Sequence, residues 1–236
     1  MRASDMTSQY VESAAELIEQ ADKLGVRSQL LFRGQDCNQP LLPKIARDKP
    51  TRNTVDLERK MLSELRRRAA RSPSALAGDD WDALVVAQHF GMATRLLDWT
   101  TNPLVALWFA SADLRPQDGF VFMLKVAEDM VLDRSKVTDP FTIGSTKVFK
   151  PAINNDRLLA QAGWFTAHPY SKKSRKFVDL HKNAALPQKV LMKGVRGKDK
   201  NRHLITLDRV GINQVALFPG LEGTCRYVDW LFRHHA

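Results

Sequence analysis

The chain has 236 residues, 44% of them hydrophobic and 26% charged, which excludes a disordered chain, a collagen and a disulfide-dense mini-protein. Lys+Arg is 36 against 26 for Asp+Glu, so the formal net charge is +10, a balance that favours nucleic acid, nucleotide phosphates or an anionic membrane as partner. Cys37 and Cys225 stand far apart with no CxxC partner and predict two reduced thiols in a cytoplasmic protein. The opening residues carry no apolar run behind a basic start, and no window is apolar enough to span a membrane.

Charge is uneven along the chain. Residues 1–26 carry two basic and five acidic side chains, whereas residues 168–209 carry twelve basic and three acidic ones. Ser13-Ala-Ala-Glu16 is a capping box, and Leu17, Ile18, Ala21 and Leu24 follow at helical spacing up to Gly25. Gln29 to Gly34 is a short apolar run that predicts a buried strand. Residues 38–53 are rich in proline and charge and predict loop. Thr54 opens a helix with Leu57, Met61 and Leu65 directed inward, and Asp79 or Asp80 opens another that stops at Gly91.

Thr94–Thr100 reads as an extended segment. Asn102-Pro103 then starts a helix, with Asn as cap and Pro at the first helical position. Gly119–Val126 predicts a central strand, and Trp164–Ala167, Lys189–Met192 and Val215–Phe218 predict further strands. Gly223–His234 predicts a final helix. Strands and helices intermingle without a steady βαβ rhythm, so the expectation is an α+β single domain with a mixed β core flanked by helices. Residues 1–28 are expected as its N-terminal helix, and the stretch 168–202 as a mobile basic insertion.

Familiar catalytic signals are missing: there is no GxxxxGK[ST], GxGxxG, HExxH or GxSxG, and the six histidines do not repeat at metal-ligand spacing. His234-His235 reads as a solvated tail. What remains is a set of polar residues inside apolar runs. Arg33 ends an apolar strand and needs an anionic partner there. It either pairs with Asp36 or Asp98, or uses its planar fork to grip a phosphate or carboxylate. Gly34 would let a ligand approach the backbone. Asp98 and Thr100 precede a helix N-terminus, a ready anion site, although Asp98 could pair with Arg95 and Thr100 could cap the helix. Gln161 precedes Gly163 and two aromatics in an otherwise apolar context.

Together these pieces resemble the FRG domain family, named for the Phe-Arg-Gly motif found here at Phe32-Arg33-Gly34. The likeness takes in Pro40–Arg47, Ala87–Gly91, Thr94–Thr100, Asn102–Ala110, Arg157–Phe165 and Gly211–Gly223, and so runs from about residue 30 to residue 225. Residues 29–236 are thereby identified with that domain. The layout is also similar to the ADP-ribosyltransferase fold, in which an Arg ends a first core strand. A Ser/Thr segment then leads into a helix with an Ala-x-x-Phe-Ala-like run, and a Glu or Gln follows on a later strand. Arg33 matches the first element, Asp98–Thr101 with Leu104–Ala110 the second, and Gln161 or Glu222 the third. Asp98 stands where a Ser-Thr-Ser segment is typical, and no Glu-x-Glu is present.

That second resemblance implies NAD as co-substrate and displacement of nicotinamide. Arg33, Thr100, Gln161 and Glu222 would then be catalytic, and Arg33, Gly34, Asp98, Thr100 and Thr101 would bind the cofactor. It also implies a toxin or phage-defence effector, with a protein partner or antitoxin. The alternatives are a nucleic-acid-binding module, resting on the basic stretch, and a regulatory interaction domain. Lys172, Lys173, Arg175 and Lys176 are interleaved with Tyr170 and Phe177, a pattern that suits phosphate contacts plus base stacking on RNA or DNA.

Overall fold

Ser13 caps the first helix through Oγ, which accepts the Glu16 N–H at 3.1 Å, while the Glu16 carboxylate returns to the Glu12 N–H at 2.9 Å. In this computed structural model, which describes residues 9–25, 28–71, 76, 78–152, 156–187 and 189–234, that helix is α1, Ala14–Gly25. His235 of the terminal pair lies outside the described residues. Next come β1, Leu30–Gln35; α2, Val55–Arg68; α3, Asp80–His89; and β2, Leu96–Thr100. The Asn102-Pro103 signal opens α4, Pro103–Ser111, with Asn102 Oδ1 accepting the Leu104 N–H at 2.9 Å. The remaining elements are β3, Gly119–Lys125; β4, Lys147–Phe149; α5, Asp156–Ala160; β5, Gly163–Ala167; β6, Leu191–Val195; α6, Lys200–Arg209; α7, Gln214–Leu217; and α8, Leu221–His234.

The strands form one sheet in the order β4-β5-β2-β1-β3-β6, and every named pair is antiparallel. The α+β class stands, and the mixed core expected is antiparallel throughout these strands. Alternation along each strand sends neighbours to opposite faces. On one face Phe32, Val121, Met123 and Val195 pack under α4, α1 and α6. The same face continues across Leu96, Phe165 and Phe149, covered by Leu62 of α2 and Trp81, Leu84 and Val85 of α3. On the other face Leu31, Leu97, Trp99, Phe122 and Leu124 meet loop residues Leu41, Met130, Leu180 and Val190. Each large side chain so buried contributes roughly 1.5–3 kcal/mol.

The sheet is uneven at its centre. β1 is registered to β3 along its length, from Leu30↔Lys125 to Gln35↔Phe120, but to β2 only at Phe32↔Thr100. Beyond that pair the two strands separate.

Three sequence expectations need correction. Val215–Phe218 is not a strand: Asn213 Oδ1 accepts the Ala216 N–H at 2.9 Å and caps the helical turn α7. In α2 the buried positions are Glu58 and Leu62, with Leu57, Met61 and Leu65 only half-buried, because Glu58 turns inward to meet Arg95. The stretch 168–202 is built into the fold. It supplies the edge strand β6 and buries His168, Phe177, Leu180 and Val190.

Candidate functional site

Where β1 and β2 part, a cavity of about 250 Å³ opens. The two strands contribute Phe32, Arg33, Gly34, Asp98 and Thr100; α3 contributes Gln88 and His89, and α4 contributes Phe109. Arg157, at the start of α5, and Gln161, just after it, close the far side. A second hollow of about 350 Å³ shares Arg33, Gly34 and Phe109 with the first and adds Asp36, Arg47 and Asp113. Arg33 therefore stands at the junction of an inner and an outer compartment.

Arg33 takes the place of the missing β1–β2 ladder. Its Nη1 donates to the Asp98 carbonyl oxygen at 2.8 Å and lies 3.8 Å from Asp98 Oδ2, and its Nε donates to Gln35 Oε1 at 3.3 Å. Among the described residues Nη2 makes no hydrogen bond. The side chain is 14% exposed. Loss of solvation pulls its pKa down to about 10; Asp98 opposes this shift and Arg47 adds to it. A guanidinium in this setting stays charged and has one prong left for an anion.

Asp98 Oδ1 accepts from Gln88 Nε2 at 2.8 Å, and its carboxylate is 62% exposed at the mouth. The alternative partner, Arg95, is taken by Glu58. Thr100 is buried, and its Oγ1 accepts the Asn102 N–H at 3.0 Å, turning the chain into α4. Gln161 donates through Nε2 to the Leu217 carbonyl at 3.0 Å. Next to it Ala162 adopts φ 47°, which brings the loop back into β5. Thr101 donates its N–H to the Ala162 carbonyl and lines neither compartment. Glu222 sits on α8, not on a strand; it is exposed, pairs with Arg226 at 2.7 Å and lies outside both linings.

Gly34 lines both compartments and also has a packing role that was not expected. A Cβ there would fall inside the Ala106 carbonyl oxygen of α4 and lie 2.6 Å from the Ala110 N. Its bare Cα admits the helix, not a ligand alone. Sequence reasoning left Gln88, His89 and Arg157 out of the site. Arg157 stacks its guanidinium over Phe218 at 4.5 Å, and desolvation lowers its pKa against the pull of Asp98 and Glu222. Desolvation and the nearby Arg157 together lower the pKa of His89.

Behind the sheet, Trp99 Nε1 donates to Thr166 Oγ1 at 2.9 Å, and Thr166 Oγ1 lies 2.9 Å from His168 Nε2. Burial, then the nearby guanidinium groups of Arg33 and Arg95, hold the His168 pKa down at about 3. The unfolded chain protonates this imidazole below about 6.5, and the folded chain does not. Stability is therefore complete above about 6.5 and falls as the pH drops toward 3, by up to about 1.4 kcal/mol per unit. Denaturant midpoints at pH 7, 5 and 4 should fall in that order, and more shallowly for His168→Gln. An equally steep fall in the variant would remove His168 as the cause.

Residues 28–119 match the family model of the FRG domain. Over those residues the chain is similar to the FRG domain. The match runs from just before β1 to the first residue of β3, so it supplies Arg33, Gly34, Asp98 and Thr100. Arg157 and Gln161, which complete the cavity, come from beyond it. No curated protein and no solved structure matches the chain. No described helix is long and apolar enough to cross a membrane.

Proposed function

We propose that the FRG cavity binds NAD⁺ and that the protein transfers ADP-ribose from it to a macromolecular acceptor. The observation that carries this reading is the partly engaged, desolvated Arg33 at the junction of two compartments, each of a volume suited to part of a dinucleotide. Arg33 would hold the pyrophosphate through its free prong, with Arg47 adding charge from the outer side. The nicotinamide ribose would enter the inner compartment, where the Thr100 hydroxyl and Gln161 can meet its hydroxyls.

In the reaction the bond between nicotinamide and the ribose C1′ breaks, and nicotinamide leaves with the bonding pair. An acceptor lone pair forms the new bond to C1′, and the acceptor's proton passes to water. Positive charge builds on the ribose as the bond stretches. Gln161 is neutral and cannot offset it. Asp98, the one carboxylate among the described residues lining the inner compartment, can.

Nicotinamide release in the presence of total RNA, DNA or protein tests the proposal. Arg33→Lys keeps the charge but removes the planar fork, and Asp98→Asn removes the carboxylate. Each should lower the rate by roughly 10²–10³-fold in protein that melts normally. A wild type that releases no nicotinamide with any acceptor would overturn the proposal, as would Arg33→Lys at the wild-type rate. The second reading is a binding module without turnover. It is favoured by the structural bonds already made by Gln161 to Leu217 and by Thr100 to Asn102. NAD⁺ binding by calorimetry without nicotinamide release would select it.

A further inference from the structure

Tyr170 and Phe177 flank the basic hairpin closed by the Ser171↔Lys176 bridge, and both turn inward. Phe177 is 1% exposed and packs with Leu42 and Ala46, and Tyr170 lies edge-on to it at 5.8 Å. The base-stacking expected of these rings is therefore closed to Phe177 and restricted at the half-buried Tyr170. The same packing fastens the hairpin to a second basic segment. The Phe177 N–H donates to the Pro50 carbonyl at 2.8 Å, and the Tyr170 hydroxyl donates to the Thr51 carbonyl at 3.2 Å.

Two stretches far apart in sequence thus form one surface. The hairpin presents Lys172, Lys173, Arg175 and Lys176, and the loop presents Arg47, Lys49 and Arg52, all exposed. Asp48 is the one carboxylate within either segment. Among the described residues none of these seven cations makes an ion pair. Elsewhere Arg59, Arg66, Arg95, Arg134 and Arg196 are each neutralised by a carboxylate of the chain. Net of Asp48 these side chains carry +6 of the chain's formal excess of +10, with no ion pair among the described residues to offset it.

We infer that this composite surface docks a double-helical nucleic acid by its phosphates. The charge selects a polyanion; among the described residues of this surface Phe177 is buried and Tyr170 half-buried, which disfavours a single strand, normally held by stacked bases. The regular phosphate rows of a duplex need no stacking, and they would be read without regard to sequence. Arg47 also lines the outer compartment beside Arg33, so the docked duplex would lie against the mouth of the cavity. The surface stands apart from the NAD⁺ proposal, because its binding is read with no NAD⁺ present.

The test is fluorescence anisotropy of the full chain with a labelled 20-base-pair DNA duplex, its single strand, and phosphatidylserine vesicles as competitor. With about five phosphates engaged, affinity should fall roughly 500-fold between 50 and 200 mM salt. Reversing the hairpin cations (K172E, K173E, R175E, K176E) should weaken binding by about 100-fold, and K49E with R52E by at least about tenfold. All variants should melt as the wild type does, since these side chains are exposed. Unchanged binding in the K49E/R52E variant would overturn the composite surface. A salt-independent affinity, a single strand held as tightly as the duplex, or full competition by vesicles would overturn the duplex assignment.

Discussion

Replacing Glu58 by Gln is expected to lower the folding free energy by about 3–5 kcal/mol, the magnitude for breaking a buried ion pair from one side. Both Glu58 and Arg95 are 1% exposed. Arg95 binds the carboxylate through Nε at 3.1 Å and Nη2 at 2.8 Å, and its Nη1 donates to the Pro140 carbonyl at 3.1 Å. Thr54 Oγ1 supplies the carboxylate with a further bond at 2.6 Å, and Phe141 lies under the guanidinium at 4.8 Å. Gln keeps the shape but leaves a positive charge without its counter-ion in a site closed to water. The melting temperature should drop by about 6–20 °C for a chain of this size. Removing both partners, as Glu58→Met with Arg95→Met, should recover much of the loss, since the isolated charge goes with the carboxylate. A single variant within about 1 kcal/mol of wild type would show that the pair is not buried in solution. The pair matters to the site because Arg95 immediately precedes β2, whose Asp98 and Thr100 face the cavity.

Such a pair could not be read from the sequence. Glu58 lies in a helix whose other faces are strongly charged, and its partner is thirty-seven residues away, just before β2. Where the signal is local, sequence and structure agree: the Ser13 box, the Asp79 cap and the Asn102-Pro103 start each occupy the helix end they predict. The run Val215–Phe218 shows the opposite case. Four apolar residues fit a strand or a helical turn equally well, and only the Asn213 cap decides between them. β4 was illegible because three residues carry no period. α6 was hidden by its charged start. Lys200 is buried there only because its Nζ finds the carbonyls of Asp36 and Asp113. At the site, the strand residues announced themselves as polar groups in apolar runs. Gln88, His89 and Arg157 did not, since their place follows from how α3 and α5 close over the gap between β1 and β2.

Gly34→Ala is expected to be the most damaging single methyl in the FRG motif. The α4 backbone crosses β1 and β3 at two glycines. A Cβ on Gly34 would enter the Ala106 carbonyl and approach Phe109 Cβ to 2.8 Å, and one on Gly119 would enter the Ala110 carbonyl. These are backbone atoms of a regular helix and cannot swing aside as a side chain would. The helix would have to lift from the sheet, opening the cluster of Phe32, Val105, Ala106 and Val121. Overpacking of this kind costs about 1–3 kcal/mol where side chains can adjust, so the upper end or more is expected here. The same displacement would carry Phe109 away from the wall it shares between the two compartments. Stability and ligand binding should therefore fall together. In Arg33→Lys, by contrast, binding should fall while the melt changes little. Denaturant titration of the purified variants separates the two cases. A Gly34→Ala protein with wild-type stability would mean that α4 does not rest on β1 at this position, and that the glycine of the motif is kept for the ligand after all.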